Sequence, residues 1–250
     1  MAQKIYKKDH ILLLGSSGQL GKNILKSKKF NRIHHPKKKE LNLLNVRQID
    51  RFISRKYKVI INCTGYARVR DCEKNPLKAI NINVNGISNL INSLKKNKVN
   101  SRLIHISTDA VYDPFKKYHL EKNVLRPYNF YGFTKYLGEN IVNEFKNSVI
   151  IRTRFFDKKK IKYNDAAEDI YSSMLEVNKF IKILYKITYS SFKGIINIGE
   201  KRESDYKKLS KYKKNIKKTN WSKIQSNSSV VISKDSSMNI SIMNKIILKI

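Results

Sequence analysis

The sequence predicts an α/β fold built on a doubly wound parallel sheet, and three observations carry that reading. Short apolar runs recur along the chain without the polar alternation of a half-exposed strand, as in strands covered on both faces. Stretches with helical apolar spacing separate them. The first run stops at a glycine that opens a glycine-rich turn into a helix, the arrangement of a Rossmann-type nucleotide fold.

Residues 10–14 read as a buried strand ending before Gly15, and 19–28 as the helix that follows. Residues 31–34 form a short second strand, 46–55 a helix, and 59–62 (Val-Ile-Ile-Asn) a third strand. Over 77–96, Ile80, Val84, Ile87, Leu90, Ile91 and Leu94 share one helical face. Strand 102–107, helix 129–145, strand 149–152, helix 177–187 and strand 194–198 continue the alternation. The division expected is a Rossmann domain at 1–155 and a small substrate-binding region at 156–250, with 177–198 returning to the sheet. Residues 155–175 read as irregular, and 226–237 as a Ser-rich loop. The lysine cluster at 207–218 reads as a solvated helix face.

Composition narrows the function classes. The 250 residues hold 53 basic and 19 acidic side chains, a net charge of +34. Of the basic residues 42 are Lys and only 11 Arg, the residue that makes most base and phosphate-fork contacts. Lys, Asn and Ile share A/T-rich codons, so a nucleic-acid partner is not expected, although the positive field suits a phosphorylated substrate. No apolar run approaches the ~18 residues of a membrane span, and residues 1–8 lack the apolar core of a leader. Cys63 and Cys72 cannot build a disulfide framework. A cytoplasmic setting is expected, with no membrane partner and no metal; the oligomeric state is open, a homodimer included.

Three motifs carry chemistry. Gly15-Ser16-Ser17-Gly18-Gln19-Leu20-Gly21 follows a strand and opens a helix, where backbone N–H groups can meet a pyrophosphate. About 20 residues on, where a carboxylate would hold the ribose 2′-OH of NAD, the chain has Arg32, His34, His35 and Lys37 to Lys39, and no acid before Glu40. This favours NADP(H), with NAD(H) as the other option. Finally, Ser107-Thr108-Asp109 ends a strand, and Tyr131 and Lys135 stand four apart on one helical face. An ammonium beside a phenol lowers its pKa from ~10 and readies it for proton exchange.

Together with Asn62-Cys63-Thr64-Gly65-Tyr66, Asp71-Cys72-Glu73, Ile82-Asn83-Val84-Asn85-Gly86, Ile106 to Tyr112, Tyr131 to Glu139 and Ile150 to Thr153, these motifs run in family order over about residues 10–155. The chain thereby resembles the extended short-chain dehydrogenase/reductases, and among them the sugar-nucleotide reductases of the dTDP-4-dehydrorhamnose reductase type. The resemblance implies Tyr131 as proton donor, Lys135 on the nicotinamide ribose and Thr108 on the substrate oxygen. It implies Gly15, Gly18, Gln19, Leu20 and Gly21 along the pyrophosphate and Asn42 and Leu43 beside adenine. Thr64, Gly65, Tyr66 and Asn83 would line the cofactor cleft, and Asp109 and Arg152 would meet a nucleotide-sugar. For Arg152 the residues themselves leave two readings, a phosphate clamp or a pair with a carboxylate.

The implied activity is reduction of the 4-keto group of a nucleotide-linked 4-keto-6-deoxy sugar, in deoxysugar and polysaccharide biosynthesis. The chain departs from the family at Tyr66-Ala67-Arg68-Val69-Arg70 and at Arg154-Phe155-Phe156-Asp157, and its substrate region is short. Ala110, where dehydratases carry Glu, disfavours 4,6-dehydration. Two alternatives stand: a bifunctional 3,5-epimerase/4-reductase using Cys72, and a non-catalytic NADP-binding regulatory subunit like those that partner methionine adenosyltransferase.

Overall fold

In the computed structural model, which describes residues 10–53 and 57–248, the apolar runs pair side by side as one parallel sheet. The strands are β1 (His10–Leu14), β2 (Ile33–His34), β3 (Tyr57–Asn62), β4 (Arg102–Ile106), β5 (Ser148–Thr153) and β6 (Gly194–Ile198). Their order is β2-β1-β3-β4-β5-β6, and every pairing is parallel. The 194–198 strand joins this sheet at its edge beside β5. Residues 1–8, read above for a leader, and the expected helical residues 54–55 lie outside the described residues.

The strands are largely apolar because both faces are covered. Ile11, Leu13, Val59, Ile61, Ile104, Ile106, Val149 and Ile151 face a core shared with helices Gln19–Ser27, Val177–Thr188 and Ser241–Leu248. The alternate residues Leu12, Leu14, Ile60, Leu103 and Ile150 face a second core with helices Val46–Phe52, Gly86–Lys96 and Phe130–Asn143. The helix expected over 77–96 runs 76–96 with a π-helical turn at Asn81–Asn85, and a short helix at Val69–Lys74 precedes it.

The stretches read as irregular hold the second, smaller layer. Phe155–Phe156 pairs with Leu175–Glu176, Asp165–Ala167 with Lys217–Thr219, and Tyr171–Ser172 lies between Glu203–Ser204 and Asp235–Ser236. Strands of two or three residues are too short to show a period, and partners far along the chain hold them. Lys208, in the lysine cluster, is buried: its ammonium reaches the Met174 carbonyl and lies 3.5 Å from Glu200. The end of the Ser-rich stretch is interior as well, with Ser233 donating to the Pro114 carbonyl and Ser236 to Asp109.

Candidate active site

The strand order reverses between β1 and β3, and ligands of open α/β sheets sit at the carboxyl ends beside such a point. There the Gly15 loop meets the Cys63–Thr64 backbone. Gly15 has φ +78°, and a Cβ on it would stand 2.7 Å from the Cys63 carbonyl carbon and oxygen. A Cβ on Gly21 would strike the Gly15 carbonyl oxygen. The first two glycines close the turn, the last seats the helix on it, and Ser17 to Gln19 remain exposed. Gly18 caps helix Gln19–Ser27 without a side-chain bond, so no side chain occupies its first-turn N–H groups. This cradle, exposed and aimed by a helix N-terminus, fits a dinucleotide pyrophosphate.

On the far side of β3, Asn83 holds the loop that follows the strand. Its carboxamide accepts from Tyr66 N–H at 2.7 Å, donates to the Tyr66 carbonyl at 3.1 Å and donates to Thr134 Oγ1 at 2.9 Å. The π turn delivers that side chain, as such turns commonly do at functional sites. Gly65 sits against it. Near the second strand, His35 and Lys37 to Lys39 are exposed. Asn42 turns its side chain onto Leu44 N–H at 3.1 Å, and Leu43 packs into the core.

Thr108 follows β4 and caps the turn Asp109–Val111, accepting from Ala110 N–H at 3.2 Å. Tyr131 comes to it on helix Phe130–Asn143, whose start Asn129 fixes by accepting from Gly132 N–H at 2.8 Å. Two glycines allow that helix so close: a Cβ on Gly132 would strike the Ala110 carbonyl oxygen, and one on Gly138 would stand 2.8 Å from that of Asn83. The Tyr131 phenol faces the Thr108 hydroxyl, whose influence lowers the phenol's pKa.

The electrostatics differ from the expected Tyr–Lys coupling. Desolvation pushes the Tyr131 phenol above its ordinary range, with Asp109 acting the same way and the Thr108 hydroxyl opposing. Lys135 turns instead into the sheet, 2.7 Å from the Ile106 carbonyl and 3.2 Å from His105 Nε2. Burial lowers its pKa to about 8, partly offset by Glu139 and Cys63.

The expected substrate contacts are corrected in two places. Arg152 is 2% exposed and forms a bidentate pair with Glu139, besides donating to the Tyr112 hydroxyl at 2.9 Å and the Glu121 carbonyl at 3.0 Å. Its guanidinium is spent on the fold, so it is the carboxylate-paired residue and not a phosphate clamp. Asp109 is buried with both oxygens engaged, Oδ1 by Thr108 Oγ1 at 3.2 Å and Oδ2 by Ser236 Oγ at 2.7 Å, so it positions Thr108. Arg154, half-exposed and 3.0 Å from Asp205, is the arginine left at the cleft side of β5. Cys72 is buried, its thiol on the Tyr66 carbonyl at 3.1 Å, and burial pushes its pKa up to about 11. A thiol held protonated on that carbonyl does not favour the epimerase reading. Among the described residues no His, Cys, Asp and Glu group could hold a metal, and no helix is long and apolar enough to cross a membrane.

Sequence reasoning passed over Asn62, His105 and Ser236. The first two carried a signal: a polar residue inside an apolar strand must find a partner when buried. Asn62 and His105 are register partners on β3 and β4, bonded at 3.1 Å.

With this geometry the comparisons agree. The dTDP-4-dehydrorhamnose reductase of Aggregatibacter actinomycetemcomitans is 31% identical over 150 residues, 57% of this chain and 50% of that protein. The methionine adenosyltransferase 2 subunit beta of Bos taurus is 30% identical over 144 residues, 54% of this chain and 42% of that protein. The chain thus spans about half the length of the curated relatives it matches. The fold matches the crystal structure of a dTDP-4-dehydrorhamnose reductase from Bacillus anthracis in complex with NADP at TM-score 0.81 and 22% identity, over 95% of this chain and 91% of that one. The model of the RmlD substrate binding domain matches residues 9–178, well over half of the chain, and the protein belongs to that family.

Proposed function

We propose that the chain is an NADP(H)-dependent reductase of the 4-keto group of a nucleotide-linked 4-keto-6-deoxy sugar, of the dTDP-4-dehydrorhamnose reductase type. The observation that carries this reading is the facing of Thr108 and Tyr131 at the carboxyl edge of β4, two strands along the sheet from the strand that opens into the glycine cradle. A relative of that name, and a fold match whose structure holds NADP, support the choice of substrate class and cofactor.

Residues 15–21 would hold the pyrophosphate, and Thr64 to Tyr66, Asn83 and Lys135 would border the nicotinamide half. The bound cofactor supplies hydride. The rest falls to the chain. Tyr131 would give its hydroxyl to a carbonyl oxygen gaining charge there, and Thr108, whose O–H rests on Asp109, would turn it onto the same oxygen. Desolvation keeps Tyr131 protonated, the state needed to give a proton to an alkoxide. Asp109, tied to Ser236, fixes the Thr108 hydroxyl. Arg154 and the surrounding lysines give a substrate diphosphate a cationic approach.

The test is NADPH oxidation, followed by absorbance, with a dTDP-linked 4-keto-6-deoxy hexose. Turnover that Tyr131→Phe removes supports the reading. NADPH binding with no turnover of dTDP- or UDP-linked ketones overturns it in favour of a regulatory subunit, the reading to which the likeness to methionine adenosyltransferase 2 subunit beta points.

A further inference from the structure

A buried polar chain runs from the cofactor cleft into the sheet and ends on Lys135. Thr64 N–H and Thr64 O–H both donate to Asn62 Oδ1, at 3.0 and 2.6 Å. Two donors on one atom fix which end of the carboxamide is oxygen, so the end facing His105 is the NH₂. Asn62 therefore donates to His105 Nδ1 at 3.1 Å. A neutral imidazole that accepts at one nitrogen carries its proton on the other. The remaining proton sits on Nε2, which faces Lys135 Nζ at 3.2 Å.

An N–H cannot serve as acceptor for an ammonium. Lys135 satisfies both neighbours only as an amine, accepting from His105 Nε2–H and donating to the Ile106 carbonyl at 2.7 Å. The alternative, an imidazole protonated on Nδ1, would require Asn62 to turn over and Thr64 N–H to lose its acceptor. An imidazolium beside Lys135 is opposed by burial.

The other groups around Lys135 do not restore a full counter-charge. Cys63, at the end of β3, is a thiol that burial keeps protonated. Glu139, one turn along the same helix, offsets the burial of Lys135 only in part, since it is paired with Arg152. Tyr131, on the other side, stays neutral. Asn62, His105 and Lys135 are all buried, so water does not substitute.

We propose that the Asn62–His105 pair is a proton-linked positioning device that favours the neutral amine of Lys135 in the unloaded protein, and that Lys135 completes its protonation from solvent when the anionic cofactor fills the cleft. The uptake half rests on the function proposed above; the resting state does not. The proton moves from water or buffer to Nζ, which then exchanges the imidazole for cofactor oxygens as partner. Asn62 and His105 act through Lys135 and touch no reacting atom. Thr64, at the other end, makes the device sensitive to what enters the cleft.

Two measurements test it. In the unloaded protein, nitrogen NMR of His105 should show the Nε2–H tautomer, and Lys135 should titrate at about 8, well below the ordinary ~10.4. An Nδ1–H tautomer, or an ordinary Lys135, overturns the proposal. Calorimetric NADPH binding in buffers of different ionisation heat should show a fraction of a proton taken up at about pH 7, rising towards one near pH 9. Asn62→Asp, an isostere that accepts from Nδ1–H and forces the other tautomer, should abolish the uptake, and so should His105→Gln, which offers Nζ a carbonyl. A purely structural role would weaken folding or binding in these variants and leave the proton count unchanged, which overturns the proposal. Failure to bind NADPH at all overturns the function, while the two titrations still decide the resting state.

Discussion

Arg152 on β5 and Glu139 on helix Phe130–Asn143 form a buried bidentate ion pair, with Nη2 to Oε2 at 2.7 Å and Nε to Oε2 at 3.1 Å. Ser107, at the end of β4, donates to the same carboxylate. The pair staples the helix that carries Tyr131 and Lys135 to two sheet strands at once.

Removing one partner leaves an uncompensated buried charge, which typically costs about 3–5 kcal/mol. Glu139→Ala should lose stability of that order in urea denaturation. The double change Arg152→Met with Glu139→Leu should recover much of it, because no charge is left unpaired. A single variant within about 0.5 kcal/mol of wild type would show that the pair is not structural.

Tyr131→Phe keeps the ring and loses only the hydroxyl that faces Thr108. The proton is given as negative charge develops, so the loss should fall on kcat by about 10²–10⁴-fold. NADPH affinity should stay nearly unchanged in a fluorescence titration. A rate above about a tenth of wild type would move the proton donor elsewhere.

Gly132→Ala is expected to separate two groups that the variant does not itself touch. The added methyl meets the Ala110 carbonyl, so the helix start must back away from the Thr108 turn. Misplacement by about 1 Å can cost about 10²-fold in rate. Reduction should fall by that order while NADPH binding, set at the Gly15 loop, persists.

Much of this was legible in the residues, and the reasons differ by element. The strands showed because both faces of the sheet are buried, so Leu12 and Leu13 face opposite cores and both are apolar. Tyr131 and Thr108 were found from spacing and from position after a strand. What spacing hides is direction. Lys135 lies four residues from Tyr131 yet points to His105, because a polar group on β4 offers it a buried partner. Arg152 looked available at a strand end, and only the tertiary structure brings Glu139 to it. Ser236 reads as loop and lies on Asp109, 127 residues away in sequence.

The Lys135 pKa also sets a pH dependence of stability. The folded value is about 8 and the unfolded one ~10.4, so between them the unfolded chain binds more protons. Stability from this group therefore rises as pH goes from about 8 to about 10, and the burial penalty is fully present below about 8. Thermal melts of wild type and Lys135→Met across that window isolate it. The difference between the two should shift in favour of wild type as pH rises; a constant difference would mean that Lys135 titrates normally.

Cofactor choice is the last expectation, and it rests on the segment after β2. His35, Lys37, Lys38 and Lys39 are exposed there, and the first carboxylate, Glu40, is occupied by Lys37 N–H at 2.6 Å. A ribose 2′-OH would find no acceptor of the kind that selects NAD, whereas a 2′-phosphate would find several cations. Each exposed cation is worth about 0.2–1 kcal/mol, so the three lysines should favour NADPH over NADH by about threefold to about a hundredfold. Lysine attracts a phosphate as a point charge and does not fork around it, so the preference should be additive and screened by salt. Paired titrations of NADPH and NADH should therefore converge as ionic strength rises from about 50 to 500 mM, a range in which the Debye length falls well below 10 Å. Changing Lys37, Lys38 and Lys39 together to Gln should weaken NADPH and leave NADH unchanged. Equal weakening of both would place the lysines at the shared pyrophosphate, and an undiminished preference would place the 2′-phosphate elsewhere.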